Sequence, residues 1–175
     1  FLLVNLIRIV AGKPFGQFFR EEIAKPLDID FHISFGNEFD GRIANLVGNP
    51  IKLWQKSLIK IISPFLPMTV KVVMRPDPND IIRAPNTPEW RKAELASSNG
   101  HGNARSMAQT GAILACGGSY KGRRILSRDT VEHAISSQIK GRDKITKNKI
   151  EWGLGFEINP THCIGSRSFQ WGGYG

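Results

Sequence analysis

A run of turn-forming residues that ends on a helix cap constrains this chain more than any other stretch. Between Arg75 and Asn103 stand Pro76, Pro78, Pro85 and Pro88, then Asn99-Gly100 and Gly102-Asn103. Proline lacks the backbone donor that a helix interior or a central strand needs, so this connection reads as long and without regular structure. Such a stretch inside a compact domain is usually functional or lid-like. It ends at Asn103, a residue type suited to capping a helix N-terminus. The helix predicted next, from about Ala104 to Cys116, carries Ala104, Ala108, Gly111, Ala112 and Ala115, small enough for close packing. Gly117-Gly118 ends it.

Other segments are punctuated in the same way. Residues 1–11 read as a buried helix stopped by Gly12. Pro14 stands where a helix can begin. Phe15, Phe18, Phe19 and Ile23 then form a helical stripe, and Pro26 ends it. These aromatic residues read as core rather than as a binding box. Residues 28–50 are mixed, with an extended run from Phe31 to Phe35 and turn signals at Gly36-Asn37 and Gly48-Asn49-Pro50. From Ile51 to Phe65 the helical pattern returns: Trp54, Leu58, Ile61, Ile62 and Phe65 share one face, and Lys52, Lys56 and Lys60 line another. Ser127 is placed to cap a further helix, with Asp129 and Glu132 near its positive end. Trp152 to Ile158 reads as one strand and Ser168 to Trp171 as another.

Composition bounds the classes. The chain of 175 residues, 41% hydrophobic and 22% charged, suits a globular domain with a real core. Its net charge is +9. Residues 51–75 hold five basic groups (Lys52, Lys56, Lys60, Lys71, Arg75) and no acid. Two further basic clusters are Lys121, Arg123, Arg124 and Arg128, and Lys140, Arg142, Lys144, Lys147 and Lys149. No nucleic-acid recognition motif accompanies them, so they read as solvated surface, and no nucleic-acid partner is expected. A basic amphipathic helix over 51–65 can make a weak contact with a membrane surface. It equally suits a lid over a pocket or an ordinary surface helix. The opening apolar run is too short to span a bilayer and is interrupted by Arg8.

Two cysteines, Cys116 and Cys163, make no disulfide framework; Cys116 reads as a buried thiol on the small-residue face of its helix. His32, His101, His133 and His162 are scattered, with no zinc spacing. No phosphate loop and no Gly-x-Ser-x-Gly elbow occurs. No metal or cofactor is expected, and nothing indicates a compartment.

Two stretches remain as candidate sites. In Asn99-Gly100-His101-Gly102, glycines beside a histidine permit close approach of backbone and imidazole to a ligand, and the loop feeds a helix N-terminus. A tight turn capping the helix explains the same residues. In Trp171-Gly172-Gly173-Tyr174, glycines at a strand end leave N–H groups uncovered, suited to stabilising an oxyanion. A simple hairpin bend is the structural alternative.

Pro88-Glu89-Trp90-Arg91-Lys92-Ala93-Glu94 followed by Ser98-Asn99-Gly100-His101-Gly102-Asn103-Ala104-Arg105 resembles a stretch of the serine β-lactamase-like hydrolases, in their class C and esterase branch. Gly12-Lys13-Pro14-Phe15-Gly16-Gln17-Phe18-Phe19 with Ile23-Ala24-Lys25-Pro26-Leu27 resembles the helix pair after that family's tyrosine motif. Trp152-Gly153-Leu154-Gly155-Phe156 resembles the strand before its third motif. The pieces occur in the family's order and cover nearly the whole chain.

The resemblance implies an α/β (α+β) fold of the β-lactamase/transpeptidase type, an antiparallel sheet flanked by helices and joined to a helical region. It implies acyl transfer: a Ser-x-x-Lys serine attacks an ester or amide carbonyl while Lys and a Tyr manage the proton. By that match Trp171, Gly172 and Gly173 line the pocket and Tyr174 supplies an oxyanion N–H; Asn99 and His101, of the loop read above from its glycines, are the further substrate-binding candidates. The partner is a small acyl substrate. Tryptophan where many members carry the lysine of Lys-Thr-Gly removes the cation that holds a β-lactam carboxylate, so esters are favoured. No serine at a predicted helix start has Lys three places on, and Tyr120 and Tyr174 do not lie in Tyr-x-Asn or Tyr-x-Ser. The chain is therefore expected to be a partial domain over 1–175. Its catalytic motifs would lie upstream of Phe1 and its closing strand and helix after Gly175, leaving this piece inactive. The alternatives are a non-catalytic pseudoenzyme or assembly protein and a peripheral membrane protein.

Overall fold

The computed structural model describes residues 2–48, 52–65, 83–144, 147–159 and 168–170. The chain opens with helix α1 (Leu2–Ala11), closed by a Gly12 N–H bond to the Arg8 carbonyl with Gly12 at φ +65°. The apolar run predicts a buried helix. The helix forms, but Val4 is its only buried residue, and Leu2, Leu3, Leu6, Ile9 and Val10 are exposed.

Pro14 precedes α2 (Phe15–Phe19), which runs through a π-helical turn, Arg20–Ala24, into α3 (Lys25–Leu27). Pro26 therefore does not end the helix. The Lys25 N–H bonds the Arg20 carbonyl, so the ladder has already widened by one residue when the proline arrives. Asp28, in the left-handed region at φ 52°, ends the helix instead. Gly16 lies where a Cβ would meet the Ile33 carbonyl oxygen at 2.2 Å, so α2 packs backbone-close on the following segment.

Among the described residues, two clusters of buried side chains form around the N-terminal helices. Phe19, Ala24 and Ile33 pack with Phe15, Ile23 and Phe31. Leu27, Ile29 and Ile113 pack with Ile23, Phe31, Tyr120 and Ile125. Ile23 and Phe31 join the two, which ties the N-terminal helices to α6 (Ala104–Ala115).

The Pro-rich connection is not structureless within its described part. It holds a 3-10 turn (Ala84–Asn86), α5 (Pro88–Lys92) and β2 (His101–Gly102), which pairs antiparallel with β1 (Phe31–His32). Pro85 and Pro88 stand at helix starts, where a missing donor costs nothing. Ahead of it, α4 (Leu53–Ile62) continues into a 3-10 turn, Ser63–Phe65.

Asn103 caps α6 as expected: its Oδ1 accepts from the Ser106 N–H at 2.9 Å, and Ser106 Oγ accepts from the Asn103 N–H at 3.0 Å. Cys116 is exposed rather than buried: it is the C-cap residue, one past the last helical position, and so off the packed face of α6. Gly117 and Gly118, both at positive φ, lead into the hairpin of β3 (Ser119–Tyr120) and β4 (Arg123–Arg124). Ser127 caps α7 (Arg128–Ala134), with Oγ accepting from the Thr130 N–H at 3.0 Å.

Among the described residues an antiparallel sheet of four strands follows: β5 (Ile139–Arg142), β6 (Lys149–Trp152), β7 (Glu157–Ile158) and β8 (Phe169–Gln170), in that spatial order. The single strand predicted from Trp152 to Ile158 is two strands. A turn through Gly153 and Gly155 reverses the chain, and Gly155 takes φ +85°. The β5–β6 hairpin, whose residues read only as a basic cluster, pairs Ile139 with Trp152 and Arg142 with Lys149.

Candidate active site

The loop after α5 is folded around one side chain. Thr87 Oγ1 accepts from the Trp90 N–H at 3.3 Å and starts α5, with Pro88 in its first turn. The chain then doubles back, so that the Asn99 N–H reaches the Leu95 carbonyl at 3.0 Å. The Asn99 amide points inward, is 0% exposed, and donates to the Trp90 carbonyl at 3.0 Å and to the Ala93 carbonyl. Its nitrogen is therefore spent on holding the loop closed.

His101 is half-buried two residues on. Its Nδ1 lies 2.8 Å from the Asn99 carbonyl oxygen and donates to it, so in the neutral ring Nε2 carries the lone pair. The imidazole stands edge-on to Phe35 at 5.0 Å between centroids. Behind it, His32 stacks on Phe39 at 3.9 Å, and Phe35 packs edge-on to both. His32 is the cross-strand partner of His101 in the β1–β2 pair. Asp30 Oδ1 sits 2.9 Å from His32 Nε2, and Arg42 bonds the other carboxylate oxygen. The hydrogen bond from His32, and then that from Arg42, holds the Asp30 carboxyl below its ordinary range.

The two glycines of this loop have a definite steric role. A Cβ on Gly100 would stand 2.4 Å from the Phe31 ring, and one on Gly102 would stand 2.5 Å from the same ring and 2.8 Å from Ser106 Oγ. The close approach they permit is to Phe31 of the paired strand. α5 is fixed alongside by buried Arg91, which donates to Asp40 Oδ1 at 3.0 Å while its carbonyl accepts from the Phe35 N–H at 3.0 Å. Sequence reasoning missed Asp30, His32 and Arg91. Asp30 and His32 meet within one segment, but Arg42 reaches Asp30, and Asp40 reaches Arg91, from other segments that no local pattern marks.

The structure thus brings Asn99 and His101 together. Trp171, Gly172, Gly173 and Tyr174 lie outside the described residues, as does Cys163. β8, which leads to that tetrad, is anchored on β7: Glu157 opposes Gln170, Ile158 opposes Phe169, and Phe169 packs edge-on to Phe156 at 5.4 Å. A cleft of about 180 Å³ lies between α7 and β7–β8, lined by Glu132, Ile135, Ser136, Ile158, Asn159 and Phe169. It is smaller than pockets that bury a drug-sized ligand.

Two Ser-x-x-Lys strings occur, and neither begins a helix. Ser57-Leu58-Ile59-Lys60 lies inside α4. Ser137-Gln138-Ile139-Lys140 lies where the chain leaves α7 for β5, and Lys140 Nζ is paired with Glu151 Oε2 at 3.1 Å. That lysine, then the Ser137 hydroxyl, lowers the Glu151 carboxyl pKa. A lysine paired this way on a strand is not placed to activate a serine one helical turn away. Among the described residues no cluster of three His, Cys, Asp or Glu is close enough to hold a metal ion. None of their helices is long and apolar enough to cross a membrane.

The sequence model of the Beta-lactamase family matches residues 1–175. The chain belongs to the beta-lactamase family. This beta-lactamase-family chain is similar to the crystal structure of a penicillin-binding protein homologue from Caulobacter crescentus, at 26% identity and a TM-score of 0.68, covering 92% of this chain and 40% of that one. It is similar to a family VIII carboxylesterase at 26% identity and a TM-score of 0.70, covering 95% of this chain and 42% of that one. EstA from Arthrobacter nitroguajacolicus Rue61a shares the fold at 20% identity and a TM-score of 0.64, over 91% of this chain and 42% of its own. The chain thus spans about two fifths of the length of these structures. No curated protein matches it. The α/β architecture with antiparallel sheets is that of the β-lactamase/transpeptidase-like fold, and the family is one of serine hydrolases.

Proposed function

We propose that this beta-lactamase-family chain is part of a serine hydrolase that cleaves an ester or amide bond of a small acyl substrate through an acyl-enzyme, and that residues 1–175 alone do not turn over. The observation that carries the reading is the family match along the whole chain, with an esterase and a penicillin-binding-protein homologue among its structural neighbours. Neither Ser-x-x-Lys string stands at a helix start, so the attacking serine belongs to sequence other than this chain. Trp171, Gly172 and Gly173 then line the acyl pocket, the Tyr174 N–H is one oxyanion donor, and His101 offers Nε2 at the edge of the substrate. Tryptophan at the third motif leaves no cation for a β-lactam carboxylate, which favours esters.

Two measurements test this. The purified 175-residue chain is expected to release no p-nitrophenol from a short-chain p-nitrophenyl ester above the buffer rate. Intact-mass spectrometry is expected to show no acyl adduct. An adduct on Ser57 or Ser137 would overturn the assignment of the nucleophile. The source transcript upstream of the Phe1 codon is expected to encode Ser-x-x-Lys at a helix start, then Tyr-x-Asn or Tyr-x-Ser. An upstream region without these motifs would sink the hydrolase reading itself.

A further inference from the structure

Helix α4 and the turn after it carry an apolar face that the described fold does not cover. Trp54 is 62% exposed, Ile61 70% and Phe65 86%, with Leu58 and Ile62 also exposed. At one residue per 100° these five positions fall within a sector of about 100°. Positions 52, 56 and 60, all lysine, run down the opposite side of the same helix. The helix starts without a side-chain acceptor at its cap, since Lys52 has none to offer. Gln55 Oε1 accepts from the Lys52 N–H at 2.9 Å and supports the first turn instead.

The charge is as unusual as the apolar face. An ordinary surface helix mixes signs and gains from acid–base pairs a turn apart. Residues 51–75 hold five basic groups and no acid. A helix with tryptophan, leucine and phenylalanine on one face and lysines on the other has the make-up of an interfacial helix. The apolar face of α1 offers a contrast: Arg8 is its one charged residue, so nothing there selects an anionic partner.

We propose that α4, with the turn Ser63–Phe65, docks on an anionic lipid surface, its apolar face entering the headgroup boundary and its lysines meeting the lipid phosphates and carboxylates. This inference is independent of the hydrolase reading, since it uses no residue of the candidate site.

Sedimentation of the 175-residue chain with lipid vesicles tests it. The chain is expected to pellet with phosphatidylcholine vesicles containing about 30% phosphatidylserine, to stay in the supernatant with phosphatidylcholine alone, and to be released by salt. Leu58→Glu with Ile61→Glu is expected to abolish pelleting. Replacing Lys52, Lys56 and Lys60 by serine is expected to weaken it by about fivefold per lysine. These substituted positions on the apolar face are exposed, so the fold has no need of them, and far-UV circular dichroism verifies it. The lipid and salt comparisons need no variant at all. Absence of pelleting, equal pelleting on neutral vesicles, or pelleting unchanged by the two glutamates overturns the proposal. So does a vesicle-free dimer that Ile61→Glu dissolves, since it makes a second copy the occupant.

Discussion

Asn99 shows how a residue singled out for chemistry can earn its place by architecture. Both hydrogens of its amide nitrogen are committed to carbonyls of the loop it closes. Asn99→Ala leaves those buried acceptors without a donor, and the expected loss is about 1–3 kcal/mol, read as a fall in the denaturant midpoint. Asp30 makes a prediction of a different kind. Its carboxyl titrates below the ordinary value of 3.8, first because of the His32 hydrogen bond and then because of Arg42. A lowered folded pKa stabilises at pH above the ordinary value, and that contribution is lost as pH falls through the folded one. Asp30→Asn is therefore expected to cost up to about 1 kcal/mol at neutral pH, because the carboxylate is partly solvated, and to flatten the acid limb of the stability profile below pH 3.8. A variant whose stability falls with acid as steeply as the parent would refute it. The Asn-Gly-His-Gly run was legible as a special loop from its glycines. That those glycines make room for Phe31 was not, because the ring comes from a strand far away in the sequence.

Elements governed by local chemistry were the readable ones. Asn103 and Ser127 cap the helices that their sequences announce, each accepting from the N–H three residues on. Ser127→Ala is expected to cost about 1 kcal/mol, measured as a lower melting temperature with an unchanged spectrum at low temperature. Pro26 was misleading because a π-helical turn ahead of it absorbed the break, a device no periodicity reveals. Trp152 to Ile158 was misleading because the signal for a strand and the signal for a tight hairpin share the same alternation, and only Gly153 and Gly155 carry the difference. Helix α1 has the pattern of a buried helix and an exposed position. Pattern reports that a face is apolar, not where its cover is.

For the molecule as a whole, the long-range pairings were beyond local reasoning. β1 with β2 and α5 with the Phe35 segment join stretches that no spacing relates. The ordered set of motifs told the family, and the match over residues 1–175 agrees with it. The sheet has a mounting that follows from all of these. The end of α7 holds the β6–β7 turn: the Leu154 N–H bonds the Ala134 carbonyl at 2.8 Å, and a Cβ on Gly153 would stand 2.3 Å from that same oxygen. Four residues beyond the helix, the Gln138 N–H bonds the Trp152 carbonyl at 2.8 Å. Helix and hairpin are thus clamped at a shared pivot, with β8 carried at the far side of the lever. Fraying at the end of that helix is therefore expected to loosen the hairpin as well, since both share the Ala134 carbonyl.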